Sequence, residues 1–113
     1  EWKTCCIDAG GWTFETPMAS LAMGSQVRLR VLARDVSIAV EKPDSISIRN
    51  RLQAEVEEIA AHLSEPAYQL VKLKCPNGEG RLVSRILRQS VTELGLHPGS
   101  QVWALVKASA VIM

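Results

Sequence analysis

The sequence predicts a mainly β domain, a small barrel with one short helix. Several segments alternate apolar and polar residues with a period of two, which is typical of strands that expose one face to water. Turn-forming glycine, proline and asparagine residues separate these segments. Residues 90–95 carry the capping signals of a helix, and that helix is about one turn long. Together these observations favour a barrel over a helical bundle.

The length and charge of the chain exclude several classes of protein. Its 113 residues, 47% of them hydrophobic, suffice for one modest core. No apolar stretch approaches the ~18 residues of a membrane span, so no membrane insertion is predicted. With 13 basic and 12 acidic residues the net charge is +1, which gives no general attraction to nucleic acid or anionic lipid. The three cysteines lack zinc-site spacing and indicate reduced thiols in the cytoplasm.

In the first half of the chain, short strands and loops are predicted around Gly10 and Gly11. Alternation at residues 27–31, and again at 36–40, predicts two strands. The stretch 52–63 is ambiguous, because apolar residues at 52, 56, 59 and 63 fit a helix slightly better, while residues 53–57 also alternate like a strand.

In the second half, residues 68–75 and 82–87 flank the turn-forming stretch 76–80 and predict a hairpin. Ser90 and Glu93 have the spacing of a capping box, which predicts a helix that begins at Ser90 and ends before Gly95. Residues 101–107 alternate and predict a final strand.

The usual catalytic motifs are missing. The sequence has no phosphate-binding loop, no dinucleotide fingerprint and no zinc-protease motif, and His62 and His97 lie far apart next to predicted loops. We therefore expect that this chain is not an enzyme, and no cofactor or metal-ligand set is predicted.

Three short segments instead share one chemical property, a supply of hydrogen-bond donors without a carboxylate. A tetrahedral oxyanion requires such a set, because its oxygens accept several hydrogen bonds and its charge is offset by Arg or Lys. Backbone N–H groups at a helix start add to the same chemistry. The candidate oxyanion-binding residues are Ser47, Arg49, Asn50, Ser90, Lys107, Ala108 through its backbone, and Ser109.

At these segments the sequence resembles the TOBE or Mop-like domains of molybdate metabolism. The resemblance spans residues 24–113 and is carried by residues 33–39 (Ala-Arg-Asp-Val-Ser-Ile-Ala), 47–50 (Ser-Ile-Arg-Asn), 90–96 (Ser-Val-Thr-Glu-Leu-Gly-Leu) and 106–109 (Val-Lys-Ala-Ser). It implies an OB-like barrel in which residues 52–63 form a bulged strand. It also implies that molybdate or tungstate binds between two protomers, with Ser47, Arg49, Lys107, Ala108 and Ser109 as donors. Three residues before Ser90, where the family commonly has Thr or Ser, this chain has Leu87.

Residues 33–39 look specifically like the C-terminal domain of a molybdate-import ABC transporter ATP-binding subunit. The resemblance thus implies a regulatory accessory domain at 24–113, preceded at 1–23 by a fragment of the linker and accessory strands after a missing ATPase domain. Expected partners are further copies of the chain, as a homodimer or higher oligomer, and the transporter membrane subunits through that ATPase domain. The expected location is cytoplasmic, at the inner face of the cell membrane. The alternative is a structural dimerisation module with no ligand. A nucleic-acid partner is disfavoured, because single-strand binders need aromatic residues in a basic groove.

Overall fold

The computed structural model describes residues 4–17 and 28–112, and within them the chain is mainly β. The strands are β1 (Thr4–Ala9), β2 (Trp12–Pro17), β3 (Ser37–Ala39), β4 (Asn50–Ala61), β5 (Tyr68–Lys74), β6 (Arg81–Leu87) and β7 (Gln101–Val106). One α-helix, α1 (Arg88–Glu93), follows β6. A first 3₁₀ turn spans Ala33–Asp35 and a second spans Ala108–Ala110.

The predicted short strands around Gly10 and Gly11 are β1 and β2, which pair as an N-terminal hairpin joined at these two glycines. Gly10 has a φ of +60°, and its carbonyl accepts a 2.8 Å hydrogen bond from the N–H of Gly80 in the β5–β6 turn. A Cβ added at Gly10 would lie 2.4 Å from the Cα of Gly80. The two turns therefore pack backbone against backbone, which only glycine allows here.

The remaining strands form one antiparallel sheet in the order β3-β7-β4-β5-β6. The predicted hairpin is confirmed, since β5 and β6 pair from Tyr68–Leu87 to Lys74–Arg81. The predicted strand at 101–107 is confirmed as β7.

Residues 50–61 form one long strand with a bulge, as the resemblance implies. Its first half, up to Glu55, pairs with β7, its second half pairs with β5, and the register shifts between Val56 and Glu58. Leu52 and Val56 are buried on the inner face, and Ile59 returns to it after the bulge. The extra residue in the bulge creates the three-residue spacing that resembles a helix.

The sheet curls until its two edges, β3 and β6, approach each other. The buried hydroxyl of Ser84 in β6 donates a hydrogen bond to the carbonyl of Val36, one residue before β3. This OB-like barrel is therefore closed by side-chain contacts at that seam and not by a continuous ladder. The inward faces of the strands and α1 form the core, whose buried members are Trp12, Phe14, Val36, Leu52, Ala54, Val56, Val71, Leu73, Cys75, Val91, Leu96, Val102, Ala104, Val106 and Val111.

The alternation at 27–31 does not produce the predicted strand. Within the described residues from Arg28 onward, this stretch has one isolated bridge, in which Arg30 and Ile112 exchange hydrogen bonds of 2.7 and 2.9 Å. Val27 lies outside the described residues. Alternation creates one apolar face, but a strand also needs a continuous backbone partner. The prediction at 36–40 is confirmed as the short strand β3.

The helix begins two residues earlier than predicted, so the predicted capping box is wrong. Leu87 is the N-cap and makes no side-chain cap hydrogen bond, while Ser90 lies inside α1. The sheet sets this boundary, because β6 stays paired up to Leu87 and the N–H of Arg88 donates to the carbonyl of Ala67. The Glu93 carboxylate accepts from Gln89 and not from Ser90.

The C-terminal end of α1 forms as predicted. Gly95 has a φ of +63°, its N–H donates to the carbonyl of Thr92, and the N–H of Leu96 donates to the carbonyl of Val91. These two bonds define a Schellman motif. Across the described residues, the structure contains no helix with the length and apolar character needed to cross a bilayer.

Candidate functional site

The ladder between β4 and β7 brings two of the candidate cations together. Its outermost pair is Asn50 with Val106, and Arg49 and Lys107 are the next residues outward on the two chains. Directly opposite residues of an antiparallel ladder have Cα atoms about 4.5–5.5 Å apart. Both Arg49 and Lys107 are exposed, on the outside of the ladder. The fold thus makes Arg49 and Lys107 neighbours across the two strands, although they are 58 positions apart in sequence.

The residues after Lys107 add hydroxyl and backbone donors at the same end of the barrel. Lys107 is the N-cap of the second 3₁₀ turn, and its carbonyl accepts a 2.9 Å bond from the N–H of Ala110. The N–H groups of Ala108 and Ser109 precede the first donor of that turn, where no carbonyl of the turn is positioned to accept from them. Ser109 is exposed.

Ser47 lies in the loop that leads into β4 and is exposed. The loop is held by Arg51, whose Nη1 donates to the carbonyls of Pro43 at 3.0 Å and Asp44 at 3.3 Å. Arg51 was not among the candidates from sequence. It fixes the approach of the Ser-Ile-Arg-Asn segment to the ladder and so positions Ser47 and Arg49.

Arg49 has a carboxylate partner in the N-terminal hairpin. Its Nε donates to Oε2 of Glu15 at 3.1 Å, with 61% of the Arg49 side chain and 24% of the Glu15 side chain exposed. Glu15 was missed by sequence reasoning because it precedes Arg49 by 34 positions and no local pattern connects them. One of the two candidate cations thus already has an anionic neighbour.

Asn50 makes contacts of a different kind. It is 3% exposed, its Oδ1 accepts from the N–H of Glu15 at 2.7 Å, and its Nδ2 donates to the carbonyl of Glu15 at 2.9 Å. The side-chain amide thereby pairs with the outer edge of β2 as a peptide group of a neighbouring strand would. In this structure Asn50 joins the N-terminal hairpin to the start of β4.

Ser90 lies elsewhere. It belongs to α1, which follows the end of β6 that pairs with the start of β5. The start of β5 lies beside the end of β4, whereas Arg49 immediately precedes the start of β4. The sheet therefore brings Arg49 and Lys107 together, with Ser47, Ala108 and Ser109 in adjoining segments, and places Ser90 at the opposite end of β4.

A cleft of about 360 Å³ opens between the N-terminal hairpin, residues 29–31 and β6. Its walls include Trp12, Phe14 and Leu82, and its charged lining residues are Arg30 and Arg81. Arg81 is already paired with Glu57 at 3.0 Å. This mainly apolar lining suits a dianion less well than the Arg49–Lys107 end of the barrel.

A family model described as TOBE domain matches residues 46–113, which is more than half of the chain. The chain belongs to the TOBE domain family. The matched range contains every candidate donor from Ser47 to Ser109, whereas Glu15 and the N-terminal hairpin lie outside it.

Individual relatives of this TOBE chain are molybdenum and molybdate proteins. A molybdenum import ATP-binding protein, ModC, of Brucella abortus (strain 2308) is 44% identical over 111 residues, which are 98% of this chain and 30% of that protein. The chain thus spans less than a third of the length of this curated relative.

Two solved structures are also similar to the TOBE chain. The cytoplasmic molybdate-binding protein ModG, in a crystal form with molybdate bound, matches with a TM-score of 0.78 and 29% identity, over 91% of this chain and 76% of that one. A molybdate-binding protein from Sporomusa ovata matches with a TM-score of 0.50 and 37% identity, over 57% of this chain and 90% of that one.

Proposed function

We propose that this TOBE domain binds molybdate as a tetrahedral oxyanion at the Arg49–Lys107 end of the barrel. The observation that supports the proposal is the β4–β7 register, which makes Arg49 and Lys107 neighbours across the two strands. Hydrogen bonds from charged donors to an oxyanion are about twice as strong as neutral ones. Neutral donors for the remaining oxygens come from Ser47, from Ser109 and from the backbone N–H of Ala108. Molybdate binding by ModG and by the Sporomusa ovata protein supports the same ligand.

The site is completed by a second copy of the chain. The donors at the start of β4 lie together on the surface, where they contact an anion from one side only. A two-fold dimer places the same surface of two copies face to face, so each copy can close the site of the other. Ser90, at the far end of β4, reaches such an anion from the partner copy if the β4 strands of the two copies run antiparallel across the interface, so that the end of one lies beside the start of the other. Tungstate has the same charge and shape, so the proposed ligand is molybdate or tungstate, whereas the smaller sulfate is disfavoured by the size of the cavity.

The parent protein in this proposal is the ATP-binding subunit of a molybdate importer. Residues 24–113 form its oxyanion-binding accessory domain, and residues 1–23 belong to the linker and accessory strands that follow the ATPase domain. The subunit works at the inner face of the cell membrane with the membrane subunits of the transporter. Anion bound between two accessory domains favours one arrangement of the attached ATPase domains and restrains import when molybdate is plentiful. This regulation depends on different anion affinities in the two arrangements.

Isothermal titration with sodium molybdate tests the proposal. We expect the unchanged chain to bind, and the double variant Arg49→Ala/Lys107→Ala to bind at least 100-fold more weakly, because each charged hydrogen bond contributes about 1.5–3 kcal/mol. The matched control is Lys72→Ala/Arg81→Ala, which removes two exposed cations that pair with Glu58 and Glu57. Native mass spectrometry of the same samples reports whether molybdate binds to a dimer. An unchanged chain that is dimeric and gives no binding heat contradicts the proposal.

A structural dimerisation module without ligand is the second candidate, and Leu87 favours it. This residue precedes α1, is 43% exposed and offers no hydrogen-bond donor where the resemblance leads us to expect Thr or Ser. The same titration separates the two functions. A dimer that persists in Arg49→Ala/Lys107→Ala, together with no molybdate binding by the unchanged chain, supports the second candidate.

A further inference from the structure

The N-terminal hairpin brings a carboxylate into the proposed anion site. The Glu15 carboxylate contacts Nε of Arg49 at 3.1 Å through one oxygen, and its other oxygen accepts from Thr4 Oγ1 at 3.4 Å. β2 also packs against the second 3₁₀ turn, which supplies the Ala108 and Ser109 donors. The hairpin therefore contacts both segments that supply donors from this end of the barrel.

We propose that Glu15 sets the affinity of the site, because its carboxylate competes with the incoming oxyanion for Arg49. This inference rests on the proposed function. It assigns a role to a residue outside the 46–113 range matched by the TOBE family. Binding of the anion and release of Arg49 from the hairpin then become a single coupled event.

The two partners of the Glu15–Arg49 pair differ in freedom to move. Both the N–H and the carbonyl of Glu15 are bonded to the buried amide of Asn50, at 2.7 and 2.9 Å. The Glu15 side chain is 24% exposed, whereas that of Arg49 is 61% exposed and lies at the end of a flexible stem. When an anion arrives, Arg49 is the partner that reorients, and Glu15 stays on the hairpin.

The charges determine the direction of the effect. In the unliganded chain the Glu15 carboxylate offsets the positive charge of Arg49. An anion must therefore displace the Glu15 carboxylate before it can form its full ion pair with Arg49. The retained carboxylate also repels a dianion at the same guanidinium, since like charges a few ångströms apart interact unfavourably even in water. Both effects lower the affinity for molybdate. A purely positioning role for Glu15 predicts the opposite sign, because loss of the carboxylate would then disorder Arg49.

The test is isothermal titration of sodium molybdate, at constant ionic strength, into the unchanged chain, Glu15→Gln and Glu15→Ala. We expect both variants to bind about three- to tenfold more tightly, from the loss of one exposed ion pair and of the repulsion. The matched control is Glu58→Gln, which removes the carboxylate of an exposed pair with Lys72 and changes the net charge of the chain by the same amount as Glu15→Gln. It should change the affinity less than twofold. In a Lys107→Ala background the gain from Glu15→Gln should persist, and in an Arg49→Gln background it should fall to about twofold or less.

The outcomes separate this inference from the proposed function. If the unchanged chain binds molybdate and both Glu15 variants bind equally or more weakly, the competition is refuted while the proposed function stands. If Glu58→Gln gives the same gain in affinity, the gain comes from the net charge of the chain and not from the Glu15–Arg49 contact, and the inference is also refuted. If neither the unchanged chain nor any Glu15 variant binds, the proposed function and this inference fail together. Thermal unfolding of the variants checks that the hairpin remains docked, since the Asn50 contacts involve only the backbone of Glu15.

Discussion

Replacement of Asn50 by alanine should destabilise the domain more than its two side-chain hydrogen bonds alone suggest. The residue is 3% exposed, and its amide bonds both the N–H and the carbonyl of Glu15. Each bond contributes about 0.5–1.5 kcal/mol net, and a buried polar group left without a partner costs about 1–3 kcal/mol. Water reaches the partly exposed Glu15, so the lower part of that range applies. We therefore expect a loss of about 2–4 kcal/mol in the free energy of unfolding.

Urea denaturation, followed by tryptophan fluorescence and by circular dichroism, measures this loss. At this chain length 1 kcal/mol corresponds to roughly 3–5 °C in Tm, so a thermal scan should show a decrease of about 6–20 °C. Gln101→Ala is the matched control, because it removes an exposed amide that donates to Glu55 at 3.0 Å. Its effect should stay within about 0.5 kcal/mol. If Asn50→Ala is no more destabilising than Gln101→Ala, the Asn50 amide does not hold the hairpin as described.

Three further changes test the fold. Leu87→Thr should stabilise the domain by about 1 kcal/mol in urea denaturation, because it supplies the missing side-chain cap of α1. Gly10→Ala should destabilise it by about 2–4 kcal/mol, since the positive φ and the contact with Gly80 both oppose a Cβ, and hydrogen exchange should increase in β1 and β2 first. Ser84→Ala should cost about 1–3 kcal/mol in the same denaturation assay, because the Val36 carbonyl loses a buried donor at the barrel seam.

Each of these three predictions has a result that would contradict it. Unchanged stability of Leu87→Thr would mean that α1 gains nothing from a side-chain cap. Uniform exchange rates in Gly10→Ala would place the strain outside the hairpin. A Ser84→Ala variant as stable as the unchanged chain would show that the seam does not depend on this hydrogen bond.

Strands with a continuous partner were predictable from sequence, and the exceptions have physical causes. Alternation located β5, β6 and β7 because each of these strands pairs along its length with at least one neighbouring strand of the sheet. At residues 27–31 the same alternation predicted a strand, but the described part of this stretch, from residue 28 onward, forms one isolated bridge between Arg30 and Ile112. In β4 the bulge after Val56 changes which positions face inward, so periodicity was ambiguous and slightly favoured a helix, and the resemblance decided for a strand.

The residue types of the candidate site were predictable from the sequence, but the contacts that these residues make with distant segments were not. The donor types and the Ser-Ile-Arg-Asn and Val-Lys-Ala-Ser segments were visible in the sequence. The pairing of Glu15 with Arg49 was not, because it depends on how the N-terminal hairpin packs against the barrel. The start of α1 was misplaced for a similar reason, since the end of the β5–β6 ladder and not the Ser90 hydroxyl determines it.

The double pairing of β4 limits how this domain can change in length. Because its first half is in register with β7 and its second half with β5, deletion of one residue before the bulge would slide one ladder against the other. Leu52 and Ala54 would then turn to solvent, Gln53 would enter the core, and Arg49 would no longer lie opposite Lys107. Insertions and deletions are therefore better tolerated in the connecting segment at 62–67, whereas β4 accepts substitutions only.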